Sequence, residues 1–135
     1  MKLKYILDTN ICIYIAKAEP VSVLKRFEQL EVGEVGMSMI THAELLYGAK
    51  RSQHIHKSIE MLEKLVSLIP IQPLHHDVAA HYADIRADLT SKGKIIGNND
   101  LWIAAHVRAM NKILVSNNLK EFQRVQKLKL ENWVL

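Results

Sequence analysis

A short apolar run, Tyr5-Ile6-Leu7, ends on the carboxylate of Asp8, and two residues later Asn10 opens an apolar, helix-like stretch. A strand buried on both faces of a parallel sheet reads as a continuous apolar run rather than an alternating one. In open α/β sheets, ligands sit in the crevice just beyond the carboxyl ends of such strands. The first ten residues therefore point to a helix-covered parallel sheet and aim Asp8 at its usual site position. Two further acids, Glu44 and Asp100, also stand near the starts of helix-like segments.

The rest of the chain extends that pattern. A strand is predicted over 4–8 and a helix over 10–17. Glu19-Pro20 interrupts, and a second helix follows with Val23, Phe27 and Leu30 on one stripe. Val35 to Met39 reads as a short strand. Thr41 to Lys50 reads as a helix ending at Gly48 or shortly after it. Residues 54–68 carry Ile55, Ile59, Leu62 and Val66 at helical spacing. The prolines in Ile69 to Pro73 suit an edge strand, because proline donates nothing to a ladder.

In the second half, Val78, Tyr82, Ile85 and Leu89 line one face of a helix over 77–91, which Gly93 ends. Residues 98–110 are apolar almost all round and predict a buried helix. Lys112 to Ser116 is a further strand, 119–124 a short helix, and 128–134 a final strand. Strands alternating with helices predict an α/β fold: a central, mostly parallel sheet flanked by helices on both faces. No repeat, linker or low-complexity segment divides residues 1–135, which read as one domain. A chain of this length buries roughly two-thirds of its unfolded surface.

Composition narrows the function classes. No apolar run approaches the ~20 residues needed to span a bilayer. The start is basic, but the apolar run behind it is too short for a signal peptide. The single cysteine, Cys12, excludes a disulfide framework and a cysteine-rich metal site. A cytoplasmic protein with no membrane association is expected. With 18 basic and 14 acidic residues the net charge is +4 and the pI about 9.2, a balance that suits a polyanionic partner.

Each acid has a structural reading beside the chemical one. Asp8 could cap the helix that follows it. Glu44 stands three residues after Thr41, the capping-box spacing. Asp100 falls in a first helical turn, where Asn98 could cap and a carboxylate complements the dipole. Together the acids say more. If their strands are parallel neighbours, all three open on one edge of the sheet. Like charges ~4 Å apart repel by about 4 kcal/mol at an effective dielectric of 20. Such a cluster protonates or holds a cation. Oxygen donors without Cys or His favour Mg²⁺ or Mn²⁺ over zinc. A phosphodiester is the natural substrate of such a pocket in a basic protein.

The fourth polar strand end, Ser116-Asn117-Asn118 with Glu121, could complete a metal and water shell or simply form a turn and a cap. Gly97 could allow close backbone approach or serve only a turn. The sequence has neither G-x-x-x-x-G-K-[ST] nor G-x-G-x-x-G. His54, His56, His75 and His76 read as surface or packing residues. His106 reads as a hydrogen-bonded core histidine and Cys12 as a small core residue. Trp102 and Trp133 could be core or interface. A receiver-like module would need a phosphoacceptor aspartate in mid-chain, and residues 69–74 offer none.

Leu-Asp-Thr-Asn at 7–10, Thr-x-x-Glu-Leu-x-x-Gly at 41–48, Gly-x-x-Asp-x-x-Ile-Ala-Ala-His at 97–106 and Ser-Asn-Asn-x-x-Glu-Phe at 116–122 together resemble PIN-domain ribonucleases. The chain is most similar to the VapC toxins of bacterial toxin–antitoxin pairs, over nearly its whole length. The resemblance implies an acidic pocket binding one or two Mg²⁺ or Mn²⁺ ions. Asp8, Glu44 and Asp100 match the three core acids, Asp8 and Asp100 as direct metal ligands with Glu44 beside them. Many relatives carry aspartate after the fourth strand, where this chain has Asn117, Asn118 and Glu121. Glu121 is placed to act there through water. Asn98 stands where relatives often have proline.

The implied activity is metal-assisted endoribonuclease cleavage that inhibits translation. Structured RNA is the implied substrate, often tRNA and in some members initiator tRNA. Glu44 or Asp100 would orient the water. Thr9, Asn10, Asn117 and Asn118 would position substrate or the acids. The implied partners are a VapB-like antitoxin, operator DNA reached only through that antitoxin, and a second copy in a homodimer. The alternatives are an RNA-processing PIN nuclease that is not a toxin, and a non-catalytic RNA-binding domain.

Overall fold

In the computed structural model, which describes residues 2–134, strand β1 (Tyr5–Leu7) leads into helices α1 (Thr9–Lys17) and α2 (Val21–Glu28). Strand β2 (Val35–Ser38) runs directly into α3 (Met39–Lys50), followed by α4 (Ile55–Leu68) and a two-residue strand, β3 (Ile71–Gln72). Helices α5 (Val78–Ser91) and α6 (Asn98–Met110) pair before β4 (Ile113–Val115). Helix α7 (Leu119–Phe122) then precedes β5 (Lys129–Glu131).

The strands form one sheet in the order β3-β2-β1-β4-β5, and every adjacent pair is parallel. The chain starts in the middle, works outward to β3, then crosses to β4 on the other side. The order therefore reverses between β1 and β4. Crevices at such switch points are where α/β sheets bind ligands.

Strand alternation explains the two-sided core. Tyr5 and Leu7 join Val35, Met37 and Val115 under α1, α2 and α4. Ile6 and Leu114 point the other way, into a second cluster with Val78, Ile85, Leu101, Ala104 and Phe122 from α5, α6 and α7. Side chains of successive strand residues face opposite sides. A strand apolar on both sides can rest only between two helical layers. Trp133 is a core residue: its ring meets Tyr5 edge-on at 5.5 Å, and Arg26 covers both rings at 5.3 Å.

Several boundaries differ from the sequence reading, for local reasons. Helix α3 begins at Met39 because the Ser38 hydroxyl caps it, accepting from the Ile40 N–H at 3.1 Å. Its end at Lys50, just past Gly48, is the one expected. Helix α6 starts after Gly97, with no side-chain cap from Asn98. Gly93, at φ +65, does end α5. The edge strand expected at 69–73 forms only at Ile71–Gln72, pairing with β2, and the strand expected at 128–134 narrows to Lys129–Glu131.

Two glycines should respond oppositely to alanine. A Cβ on Gly36 would sit 3.0 Å from the Pro70 carbonyl and 2.9 Å from the Gln72 amide nitrogen, while one on Gly48 meets nothing within 4 Å. In urea titrations Gly36→Ala should destabilise by about 1–3 kcal/mol. Gly48→Ala, in a helix interior, should stabilise by up to about 1 kcal/mol.

Candidate active site

The β1–β4 register sets the site. Leu7 pairs with Val115, and the ladder extends one step further as the Asp8 N–H donates to the Val115 carbonyl at 2.9 Å. Asp8 thereby stands beside Ser116 at the carboxyl edge of the sheet. Its Oδ1 accepts from the Thr9 N–H at 2.7 Å, and its Oδ2 accepts from the Ser116 hydroxyl at 2.8 Å. Asp8 thus caps α1 and still belongs to the cleft. Burial raises its carboxyl above the usual range; the Ser116 and Thr9 hydrogen bonds oppose this, and the Glu44 charge adds to it.

Glu44 is not part of a capping box. Ser38 already caps α3, so Thr41 is enclosed in the first turn and Glu44 lies in the second. Its carboxylate reaches across to two other helices. Oε1 accepts from the Thr9 hydroxyl at 2.6 Å, and Oε2 accepts from the Asn99 side-chain amide at 3.2 Å. Thr9 Oγ1 is also 3.2 Å from Thr41 Oγ1. Asn99 is the residue the sequence reading passed over. Its only signal was its place beside Asp100.

Asp100 sits in the first turn of α6, half-buried. Burial, then the charges of Asp8, Glu121 and Glu44, push its carboxyl up to about 6. The charges of three other acids thus all bear on Asp100. Asn98 turns away, accepting from the Tyr82 hydroxyl at 2.8 Å. Gly97 is not demanded by its backbone, at φ −56. A Cβ there would make only an ordinary 3.7 Å contact with Asp100.

At the end of β4, buried Ser116 donates to Asp8 while its oxygen accepts from the Asn118 N–H at 2.9 Å. Asn117 is directed elsewhere: its carbonyl oxygen accepts from the Asn132 amide at 3.2 Å. Asn118 precedes α7 without a side-chain cap bond. Glu121, in the first turn of α7, faces Asp100. Asn10 is exposed in the first turn of α1.

Other titratable groups are occupied or remote. His106 Nε2 is 3.1 Å from the Pro73 carbonyl, which can only accept, so this nitrogen carries the proton. In the neutral ring Nδ1 then accepts from the Ser38 hydroxyl at 2.7 Å. Burial lowers the affinity of this ring for a second proton. His54, His56, His75 and His76 are exposed. Cys12 is fully buried and its thiol is raised by burial, which makes it inert.

The donor set fits a hard divalent cation. Carboxylate and hydroxyl oxygens converge, and the repulsion that raises Asp100 is what a cation relieves. Among the described residues no three His, Cys, Asp or Glu side chains are gathered tightly enough to cage an ion alone. Mg²⁺ does not need such a cage, because it keeps several waters and takes one or two carboxylates. Asp8 and Asp100 are the carboxylates that could supply them.

A doubly covered parallel sheet with acids at its switch point defines a class, and residues 5–128 match the PIN-domain family. The chain belongs to that family, in its VapC branch. It is 50% identical to Ribonuclease VapC2 of Haemophilus influenzae, over 98% of this chain and 99% of that protein. It is 41% identical to the tRNA(fMet)-specific endonuclease VapC of Shigella flexneri, over 97% and 98%. Among solved structures it superposes with a TM-score of 0.90 at 39% identity on a chain of VapBC2 from Rickettsia felis bound to a promoter DNA fragment, covering 98% of this chain and all of that one.

The raised carboxyl of Asp100 has a signed consequence. The folded state holds this proton more tightly than the unfolded chain does, so its contribution to stability falls as pH rises from about 4 through about 6. In chelator, Asp100→Asn should melt above the parent at pH 7.5. The difference should shrink toward pH 5, and a pH-independent difference would contradict the raised carboxyl. Mg²⁺ should stabilise the parent more than the variant.

Proposed function

We propose that this protein is a divalent-metal-dependent endoribonuclease, the toxin of a toxin–antitoxin pair, and that it inhibits translation by cutting a structured RNA of the tRNA class. The observation that carries the reading is the convergence of Asp8, Glu44, Asp100 and Glu121 at the carboxyl edge of β1 and β4 in a chain of net charge +4. The ribonuclease names of relatives at 50% and 41% identity support it, and the second of them supports tRNA, with the initiator species as first candidate.

A bound Mg²⁺ or Mn²⁺ would supply polarisation of the phosphoryl oxygen and a lowered pKa for water. Asp8 and Asp100 would hold the ion. Ser116 and the Thr9 N–H fix the rotamer of Asp8 and favour its charged form. Glu44, clamped by Thr9 and Asn99, would orient the attacking water and accept its proton. Glu121, whose charge bears on Asp100, would act through water. Asn10 and Asn118 contact the substrate backbone, and Thr9 keeps its place beside Glu44. A non-catalytic RNA-binding domain would gain nothing from four acids that repel the phosphates it must hold.

The antitoxin reading rests on a second surface. A groove of about 400 Å³ begins at Thr9 and Glu44 and runs between α1, α3 and α4 over Ile13, Leu45, Met61 and Leu65. Met61 is 46% exposed there, and Tyr47 on α3 is 63% exposed. An apolar antitoxin segment fits the groove, with a cation reaching the acids. The Rickettsia felis assembly, a toxin–antitoxin complex on promoter DNA, supports this partner and operator DNA reached through it.

Asp8→Asn should abolish Mg²⁺-dependent cleavage of a tRNA transcript. Ser116→Ala, which removes one of the two donors to Asp8 and the acceptor of the Asn118 N–H, should lose about 10–100-fold. Cleavage that survives Asp8→Asn would sink the catalytic assignment. Met61→Glu should lose co-purification with the cognate antitoxin while its RNA cleavage stays within about twofold, a surface change being near-neutral for the fold.

A further inference from the structure

The acid cleft raises a physical difficulty for its own substrate. Four carboxylates attract a divalent ion, but they repel every phosphate flanking the one being cut. A nearby cationic surface would offset that repulsion, and the fold builds one. A groove of about 440 Å³ lies where the end of α5 meets α7, lined by Leu89, Lys92, Lys94, Lys120, Gln123 and Arg124. None of its lining residues is acidic.

Both walls of the groove are joined to the site along the chain. Lys120 immediately precedes Glu121, and Lys94 lies on the loop that leads to Asp100. That loop is pinned. The Lys94 N–H donates to the Leu89 carbonyl at 2.9 Å, and Arg124 donates to the carbonyls of Lys94 and Ile95 at 3.4 and 3.3 Å. Lys92 has an ion-pair partner in Asp88 at 3.0 Å, across an exposed helix turn. Lys94 and Lys120 are exposed. A second lysine-lined pocket of about 480 Å³, with Lys2, Lys4, Lys112 and Lys129, opens at the amino ends of the strands, the far pole from the acids. Its lining includes Glu34.

We propose that the groove between α5 and α7 is the track that holds the sugar–phosphate backbone of RNA flanking the cleaved bond. This rests on the nuclease reading above. The track is specific in place rather than in sequence, since phosphate contacts set register and carry no base information. Pinning of the loop means that little order has to be gained on binding.

The far-pole pocket gives a charge-matched control. In an Asp8→Asn background, the triple variant Lys92→Gln, Lys94→Gln, Lys120→Gln is compared with Lys2→Gln, Lys112→Gln, Lys129→Gln, using an initiator tRNA transcript. Both triples remove three charges. The groove triple should weaken binding about tenfold at 0.15 M salt and reduce the slope of log affinity against log salt by about 2, at roughly 0.7–0.9 per lost phosphate contact. The far-pole triple should change neither, and both should melt with the parent.

Equal losses in the two triples would make the effect general polyelectrolyte attraction and overturn the track. Full RNA affinity in the groove triple would overturn it too. If that triple instead loses binding to polyglutamate while keeping RNA, the groove belongs to an acidic protein segment. If the Asp8→Asn protein with all its lysines binds no RNA at 50 mM salt, the nuclease reading itself fails.

Discussion

The pairing of β1 with β4 is the constraint on which the site depends. It is a short ladder, with the Asp8 N–H as its last donor before α1 begins. A parallel register that slipped by one residue would turn Ile6 and Leu7 to the wrong helical layers. It would also separate Asp8 from Ser116. The two-sided apolar core therefore does more than stabilise the sheet. By fixing which residue of β1 faces which layer, it fixes where the first carboxylate stands.

The remaining acids reach that point by different routes, and the helix starts explain how. Asp100 is carried in the first turn of α6, so its position follows directly from where the helix begins. Glu44 is a turn deeper in α3 and crosses to Thr9 and Asn99 with hydrogen bonds at both oxygens. One carboxylate thereby ties α3 to the starts of α1 and α6. A group in that position is the brace that keeps two helix starts together. Its mutual repulsion with Asp8 and Asp100 is what makes the pocket receptive to a cation.

Much of this was legible in the sequence, and the exceptions have physical causes. The continuous apolar run of β1 announced a doubly covered sheet, and Asp8 at its end stands at the sheet's carboxyl edge, where the run aimed it. The capping-box reading of Glu44 failed because Ser38, the last residue of β2, offered an earlier cap. The spacing from Thr41 was then irrelevant. Asn99 carries no periodic or compositional signal, so its bond to Glu44 appears only once α3 and α6 are side by side. Asn117 looked equivalent to its neighbour in sequence, yet a one-residue change of direction at the strand end sends it to Asn132. Strand ends are where sequence neighbours diverge most in space.

The surface around the pocket is divided by chemistry. On the α1–α3–α4 side an apolar groove begins at Thr9 and Glu44; where α5 meets α7, a separate groove is lined by lysines and an arginine. A polyanion gains from the second surface and nothing from the first. An apolar polypeptide segment gains from the first, and needs only one cation to reach the shared acids. On the proposed function the two ligand classes would meet at the same acids. Competition between them would then follow from occupancy of the acids alone, without any change of shape. On that reading a segment seated in the apolar groove would not need to cover the lysine-lined groove to block cleavage; a positive charge placed among the acids would suffice.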